Sequence, residues 1–320
     1  MIRYVFKRVI WLIPVIIAVS FIVFALMDLA PGTIVDTMRS DEMTQEDRDA
    51  LIAKFDLDKP LVVRYGKYML RLIQGDLGVS DKTGLNVWRE FITRLPKTLE
   101  LSFVALIIGA AVAIPLGVIA ARKSGTLIDN GATILSLLGL SMPLFWLGIL
   151  LMLLFSFRLG WFPATGANEG LRSLVLPAVC SSVSLMAQTA RQTRSNMLEV
   201  LNADYLRTAR AKGVPEKIVI RRHALGNAWI PILTALGSGL SSQLAGSVVV
   251  ETTFAWPGIG RMAAEAVLAR DVTKTCGVVI MTTILYVLVQ LIVDMLYAFV
   301  DPRIKAQYTG GKKKKRRQTA

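Results

Sequence analysis

Histidine and cysteine are almost missing from this chain. In 320 residues there is one histidine, His223, and two cysteines, Cys180 and Cys276. Two cysteines are too few for a disulfide scaffold, and their spacing fits no zinc motif. A lone histidine argues against most hydrolytic triads and metal centres. No HExxH, CxxC or G-x-x-x-x-G-K-[ST] occurs, so ATP phosphates are not cradled here by a P-loop. Gly258-Ile259-Gly260 is a solitary GxG and too short a signal to count. Charge is scarce as well: 19% of residues, where an ordinary soluble domain carries about a quarter. What remains is 53% hydrophobic, with a mean hydropathy of +0.52. Basic residues nevertheless outnumber acidic ones, 37 to 23, for a net charge of +14. A soluble globule, a nucleic-acid binder and a disordered chain are all excluded; spans flanked by lysine and arginine are implied.

About 20 apolar residues are needed to cross the hydrocarbon core. Six uncharged stretches meet or approach that length: 9–27, 101–121, 131–157, 174–190, 224–250 and 276–293. The fourth, with Ser181, Ser182, Ser184 and Gln188, is the least apolar. No A-x-A cleavage site follows the first, which therefore reads as a retained span. Six spans place both termini on one side. Counting only short flanks, that side carries 21 Lys/Arg against 5 on the other, so both termini are expected in the cytoplasm.

The sequence divides into a cytoplasmic N-terminus and first span (1–27), an external insertion (28–97), a five-span core (98–300) and a basic tail (301–320). Within the insertion, 43–55 reads as a short helix with Thr44 as N-cap and Asp47 three residues on. Residues 62–73 read as a second, amphipathic helix, and Gly75, Gly78 and Gly84 prevent it from continuing. The insertion reads either as a structured loop on the membrane surface or as part of a docking surface or external gate. The 224–250 stretch is rich in small and hydroxyl residues, which suit close helix packing or a face lining a watery path containing Gln243. Pro14, Pro115, Pro143 and Pro177 lie inside apolar runs and would kink or end helices. The six-residue basic run 312–317 reads as a topology-fixing tail with an affinity for anionic lipid.

The loop 191–223 is the longest cytoplasmic connection and carries a net charge of +5. Met197, Leu198, Leu201 and Tyr205 recur at helical spacing, giving one apolar and one basic face. Arg207, Arg210 and Lys212 decorate the helix end, Gly213 stops it, and Pro215 opens another short helix. Such a loop either rests on lipid headgroups or docks into a groove on a cytoplasmic partner.

The run Asp204-Tyr205-Leu206-Arg207-Thr208-Ala209-Arg210-Ala211-Lys212-Gly213 resembles the coupling-loop signature of ABC-importer permeases of the dipeptide, oligopeptide and nickel class. The same pattern is met by Met142-Pro143-Leu144-Phe145-Trp146-Leu147-Gly148 and by Glu251-Thr252-Thr253-Phe254-Ala255-Trp256-Pro257-Gly258-Ile259-Gly260. Thr98-Leu99-Glu100-Leu101, Gly75-Asp76-Leu77-Gly78 and Asp301-Pro302-Arg303 match it too, so that the resemblance spans nearly the whole chain except the tail. One departure is visible. General permease loops carry Glu-Ala-Ala, three residues, then Gly; here Arg207, Thr208 and Ala209 occupy the first three places, as in the peptide class, and Arg207 can play no part that needs a carboxylate.

The resemblance implies an all-α integral membrane protein with six transmembrane helices, a ~70-residue external insertion after the first, and a coupling loop between the fourth and fifth. It implies a non-catalytic subunit of the bacterial inner membrane. Tyr205 to Gly213 would sit in a cleft of an ATPase subunit. ATP and Mg would be bound by two such partners, with no cofactor and no metal on this chain. A second homologous permease and an external substrate-binding protein would complete the importer, for short peptides or alternatively for a nickel chelate. The 12 methionines, mostly in spans, do not favour nickel. Gln188, Ser242 and Gln243, polar within spans, are the candidate path residues. The rival from another class is an ion-coupled transporter, for which Glu100 and Asp294 are the only near-membrane candidates.

Overall fold

The computed structural model describes residues 2–30, 32–37 and 43–300. The basic run 312–317 and the Asp301-Pro302-Arg303 match lie outside them. Fourteen α-helices succeed one another among the described residues, with no β-strand and a single isolated bridge between Val79 and Asn86.

The first helix, α1 (Ile2–Leu29), runs unbroken through Pro14. The insertion then forms α2 (Ile34–Thr37), α3 (Gln45–Lys54) and α4 (Leu61–Ile73). The Thr44 cap forms as expected: its Oγ1 accepts from Asp47 N–H at 3.2 Å, and Asp47 Oδ2 accepts from Thr44 N–H at 3.1 Å. Gly75, Gly78 and Gly84 all take positive φ, and Ser80 N–H closes the turn onto Leu85 O at 2.8 Å.

Asn86 caps α5 (Val87–Arg122), which at 36 residues is longer than a membrane is thick and carries Pro96 and Pro115 inside it. The third apolar stretch, expected as one span, is two helices instead. α6 (Leu127–Ser141) and α7 (Leu144–Leu151) meet at 102°. Pro143 is the cause: it has no N–H to extend α6 and holds Met142 in an extended conformation (φ −80°, ψ 123°). A π-helical segment, Met152–Arg158, prolongs α7.

α8 (Leu171–Leu201) is followed by the short α9 (Asp204–Ala211) and α10 (Glu216–Ile218), a π-helical segment Val219–Ala224, and α11 (Leu225–Gly246). The last three helices are α12 (Val248–Thr253), α13 (Ile259–Leu268) and α14 (Val272–Val300). Among the described residues, four helices are long and apolar enough to cross a membrane, and the bent α6–α7 pair makes a fifth if it counts as one span. The 22-residue α11 is not among them, because its serines, glycines, Asn227 and Gln243 hold its hydropathy down.

The most extensive helix pair is α5 with α8, and small residues let the two backbones close. A Cβ on Gly117 would stand 2.6 Å from both Ala190 O and Thr193 Cβ. Leu185 of α8 fits between α5 and α11 in the same way. A Cβ on Gly109 would lie 2.9 Å from its Cδ2, and one on Gly239 only 2.2 Å from its Cδ1. α1 packs on α14 at the edge of the bundle, with most of its apolar side chains exposed.

Candidate functional site

Three features on α8 to α13 stand out. The first is a cleft between α8 and α11. Gln188, Ser242 and Gln243, singled out from sequence because they are polar within apolar runs, all line one cavity of about 180 Å³. Leu144, Ser181, Ser184, Leu185 and Gly239 complete its wall, so no ionisable group lines it. Gln243 is held firmly: Ser181 Oγ donates to its Oε1 at 2.5 Å, and its Nε2 donates to Ser181 O at 3.2 Å. Gln188 and Ser242 are exposed to the cavity mouth.

The second feature is the basic helix α9. Sequence periodicity runs the apolar face from Met197 and Leu201 on to Tyr205, and the structure corrects this. The long helix stops at Leu201, and a new one begins at Asp204, whose carboxylate suits a helix N-terminus. The break resets the helical phase. Leu206, not Tyr205, turns inward and is completely buried against Met197, Val219, Ile220 and Ala224, with Ala209 and Val214 packed beside it. Leu206 is therefore the anchor of α9 to its own chain rather than part of an outward surface. Tyr205, Arg207, Thr208, Ala211 and Lys212 face outward together.

The end of α9 is built to be sharp. Gly213 has φ +75°, its N–H donates to Arg210 O at 2.9 Å, and Val214 N–H donates to Ala209 O at 3.3 Å. This is the paired-bond, left-handed cap that glycine favours. Arg210 is not free for an outside acid: its Nε and Nη2 donate to Glu216 at 3.1 and 3.0 Å. Those hydrogen bonds hold the Glu216 carboxyl below its usual range and tie α9 to α10.

A third cluster escapes sequence reading. Glu251, at the start of the Glu251-to-Gly260 motif, is completely buried. Its carboxylate accepts from Thr98 Oγ1 at 2.6 Å, Ser247 Oγ at 2.9 Å and Arg261 N–H at 2.9 Å. It thus closes the N-terminus of α13 from inside. Gly258 makes the room, since a Cβ there would fall 2.4 Å from the carboxylate. Trp256, also buried, donates from Nε1 to Lys97 O at 2.9 Å. Thr98 lies on α5, 153 residues away in sequence, so no local spacing announces it.

The two residues that would have served an ion-coupled transporter are both ion-paired, Asp294 with Arg8 and Glu100 with Lys97. Asp294 also accepts from Gln290, whose Oε1 accepts from Ser241 on α11. The Asp294–Arg8 pair ties α14 to α1, whereas Glu100 and Lys97 both lie on α5.

Residues 113–306 match the family described as the binding-protein-dependent transport system inner membrane component, and residues 1–102 match the N-terminal region described for the same membrane component. The chain belongs to this family. It is thus a non-catalytic transport component of the inner membrane, multi-pass by its apolar helices. Among similar proteins, the oligopeptide transport system permease protein AppB of Bacillus subtilis is 38% identical, covering 95% of this chain and 100% of its own. The di/tripeptide transport system permease protein DppB of Pseudomonas aeruginosa is 39% identical, over 96% and 100%. The dipeptide transport system permease protein DppB of Escherichia coli is 37% identical, over 95% and 99%. The fold of this permease resembles that in an inward-facing structure of the MetNI methionine ABC transporter, at TM-score 0.56 and 19% identity, over 66% of this chain and 96% of that one.

Proposed function

We propose that this chain forms half of the translocation pathway of an ABC importer for short peptides. It crosses the membrane six times, with α11 as the fifth crossing, α14 as the sixth, and both termini in the cytoplasm. A second, similar permease supplies the other half of the path. An external binding protein delivers cargo, and two ATPase subunits bind ATP and Mg and take up the outward face of α9. The observation that carries this reading is the pairing of α9, fixed inward by Leu206 and outward basic, with a cleft on the helices beside it. Movement of α9 by a partner is transmitted through α8 and the π-helical segment to α11, which carries Gln243.

The cleft bears on the cargo. Its polar groups are hydroxyls and amides, which hydrogen-bond peptide groups whatever their side chains. Peptide transport by the three relatives supports the same choice. The test is uptake into proteoliposomes holding the whole importer, with radiolabelled di- and tripeptides beside a nickel chelate. ATP-dependent accumulation of peptide is expected. Accumulation of nickel alone, or uptake that follows an ion gradient without ATP, would overturn the reading.

A further inference from the structure

The insertion helix α4 has three faces rather than two. Leu61, Tyr65, Tyr68 and Leu72 pack inward on α1 and α14, and Arg64, Lys67 and Arg71 form a basic stripe. The remaining side carries Val62, Val63, Leu70 and Ile73, which are 73%, 46%, 63% and 79% exposed. Four large apolar side chains on one exposed strip are unusual for a helix in water.

The depth at which α4 is seated identifies the cover of that strip. The span in α1 is Ile10–Leu29, 20 residues or about 30 Å, the thickness of a hydrocarbon core. Tyr65 OH donates to Ile17 O at 3.1 Å and stands 3.0 Å from Ser20 Oγ. Met69 Sδ lies 3.8 Å from the same Ser20 oxygen, and Tyr68 meets the ring of Phe24. Ser20 is the middle of that span, about 13 Å along the axis from Leu29. A helix that touches mid-span on one side is seated at the depth of the hydrocarbon core. Arg64, by contrast, pairs with Asp28 at the span's outer end, and Lys67 pairs with Asp56 beyond it. The basic stripe therefore points to headgroup level while the apolar strip lies below. The flank of α1 that Tyr65 meets at Phe21 is apolar and exposed as well: Ile13, Ile17 and Phe21 are 57%, 46% and 43% exposed.

We propose that α4 is a helix embedded in the outer leaflet, with Val62, Val63, Leu70 and Ile73 as a docking surface for lipid acyl chains. Its backbone is satisfied within the helix, as burial in lipid demands. Seated there, α4 staples α1 to α14 through the buried cluster of Phe24, Tyr68, Cys276 and Ile280 and ties the rest of the insertion to the membrane. The proposal rests on α1 crossing the membrane with its N-terminus in the cytoplasm, as proposed above, and not on the identity of the cargo.

Nitroxide labels on Val63→Cys, Leu70→Cys and Ile73→Cys in the intact importer in lipid nanodiscs provide the test. The two native cysteines are fully buried, so labelling falls on the introduced site, with unsubstituted protein as the blank. Power-saturation EPR compares access of oxygen, which concentrates in lipid, with that of a nickel chelate, which stays in water. Ile13→Cys on α1 serves as the lipid standard and Asp49→Cys on exposed α3 as the water standard. Oxygen access exceeding chelate access at all three α4 positions, as at Ile13, is expected. Chelate access dominating at α4 while Ile13 stays oxygen-rich would overturn the proposal in favour of a water-exposed face. Low access of both reagents would overturn it in favour of a protein partner. If Ile13 itself proves water-exposed, the crossing of α1 fails and the proposal falls with it.

Discussion

Truncating Leu206 tests how α9 is held. An eight-residue helix is marginal in water by itself, so its persistence depends on tertiary contacts. Those contacts are few: one fully buried side chain, half-buried Ala209 and Val214, the Gly213 cap, and the Arg210–Glu216 pair, which is exposed and worth little. Leu206→Ala in a filled core removes about 2–5 kcal/mol. Most of what ties α9 down lies in that side chain, so local opening is expected to rise by about 30-fold to several thousand-fold. Hydrogen exchange of the amides around 206–214 in the full-length detergent-solubilised chain reads this directly, since local and global opening separate by residue. Protection in the middles of α5 and α8 is expected to stay within about threefold. Unchanged protection at 206–214 would refute the assignment of Leu206 as anchor. Equal loss throughout α8 would refute the independence of α9.

Three further outcomes are expected from close approaches and a half-buried carboxyl. Gly239→Ala places a Cβ 2.2 Å from Leu185 Cδ1, and a cost of about 1–3 kcal/mol with impaired uptake is expected; Leu185→Ala in the same chain should recover a large part of both, as a double-mutant cycle would quantify. Gly258→Ala drives a methyl into the Glu251 carboxylate and should lower the thermal midpoint by several degrees, whereas Gly226→Ala, with open space around it, should not. Burial, and then the charge of Asp271, lifts the Asp81 carboxyl to about 6. Its folded state binds the extra proton between its unfolded value of 3.8 and about 6, so stability should fall as pH rises through that window. Asp81→Asn should flatten that slope and raise stability at pH 7, measured by thermal unfolding between pH 4 and 7.

Much of this architecture can be read from residues alone, for identifiable reasons. The apolar runs in α1, α5 and α14 are long enough that no competing structure suits them. Thr44 with Asp47, and Gly213 followed by Pro215, are local stop and start signals whose chemistry is contained within a few residues. Gln188, Ser242 and Gln243 line one cavity, and among them Gln243 is held across the helix pair by Ser181 of α8. Sequence misleads where the decisive partner is distant or the signal silent. The stop at Asn202 and Ala203 has no proline or glycine, so the phase change that buries Leu206 leaves no mark. Pro143 reads as a kink or an end, but the 102° turn depends on how α7 packs against α8 and α12. Glu251 reads only as the first residue of a motif, because its donors come from Thr98 on another helix and from the backbone of α13.

The central claim is that the outward face of α9 is the grip for an ATPase. A photo-crosslinking residue at Thr208, which faces outward, and separately at Leu206, which is fully buried, in the intact complex tests it most directly. The expected result is an adduct between position 208 and an ATPase subunit, identified by mass spectrometry, with position 206 linking only within its own chain. Adducts of position 208 confined to lipid, or to no protein at all while the complex is intact, would contradict it.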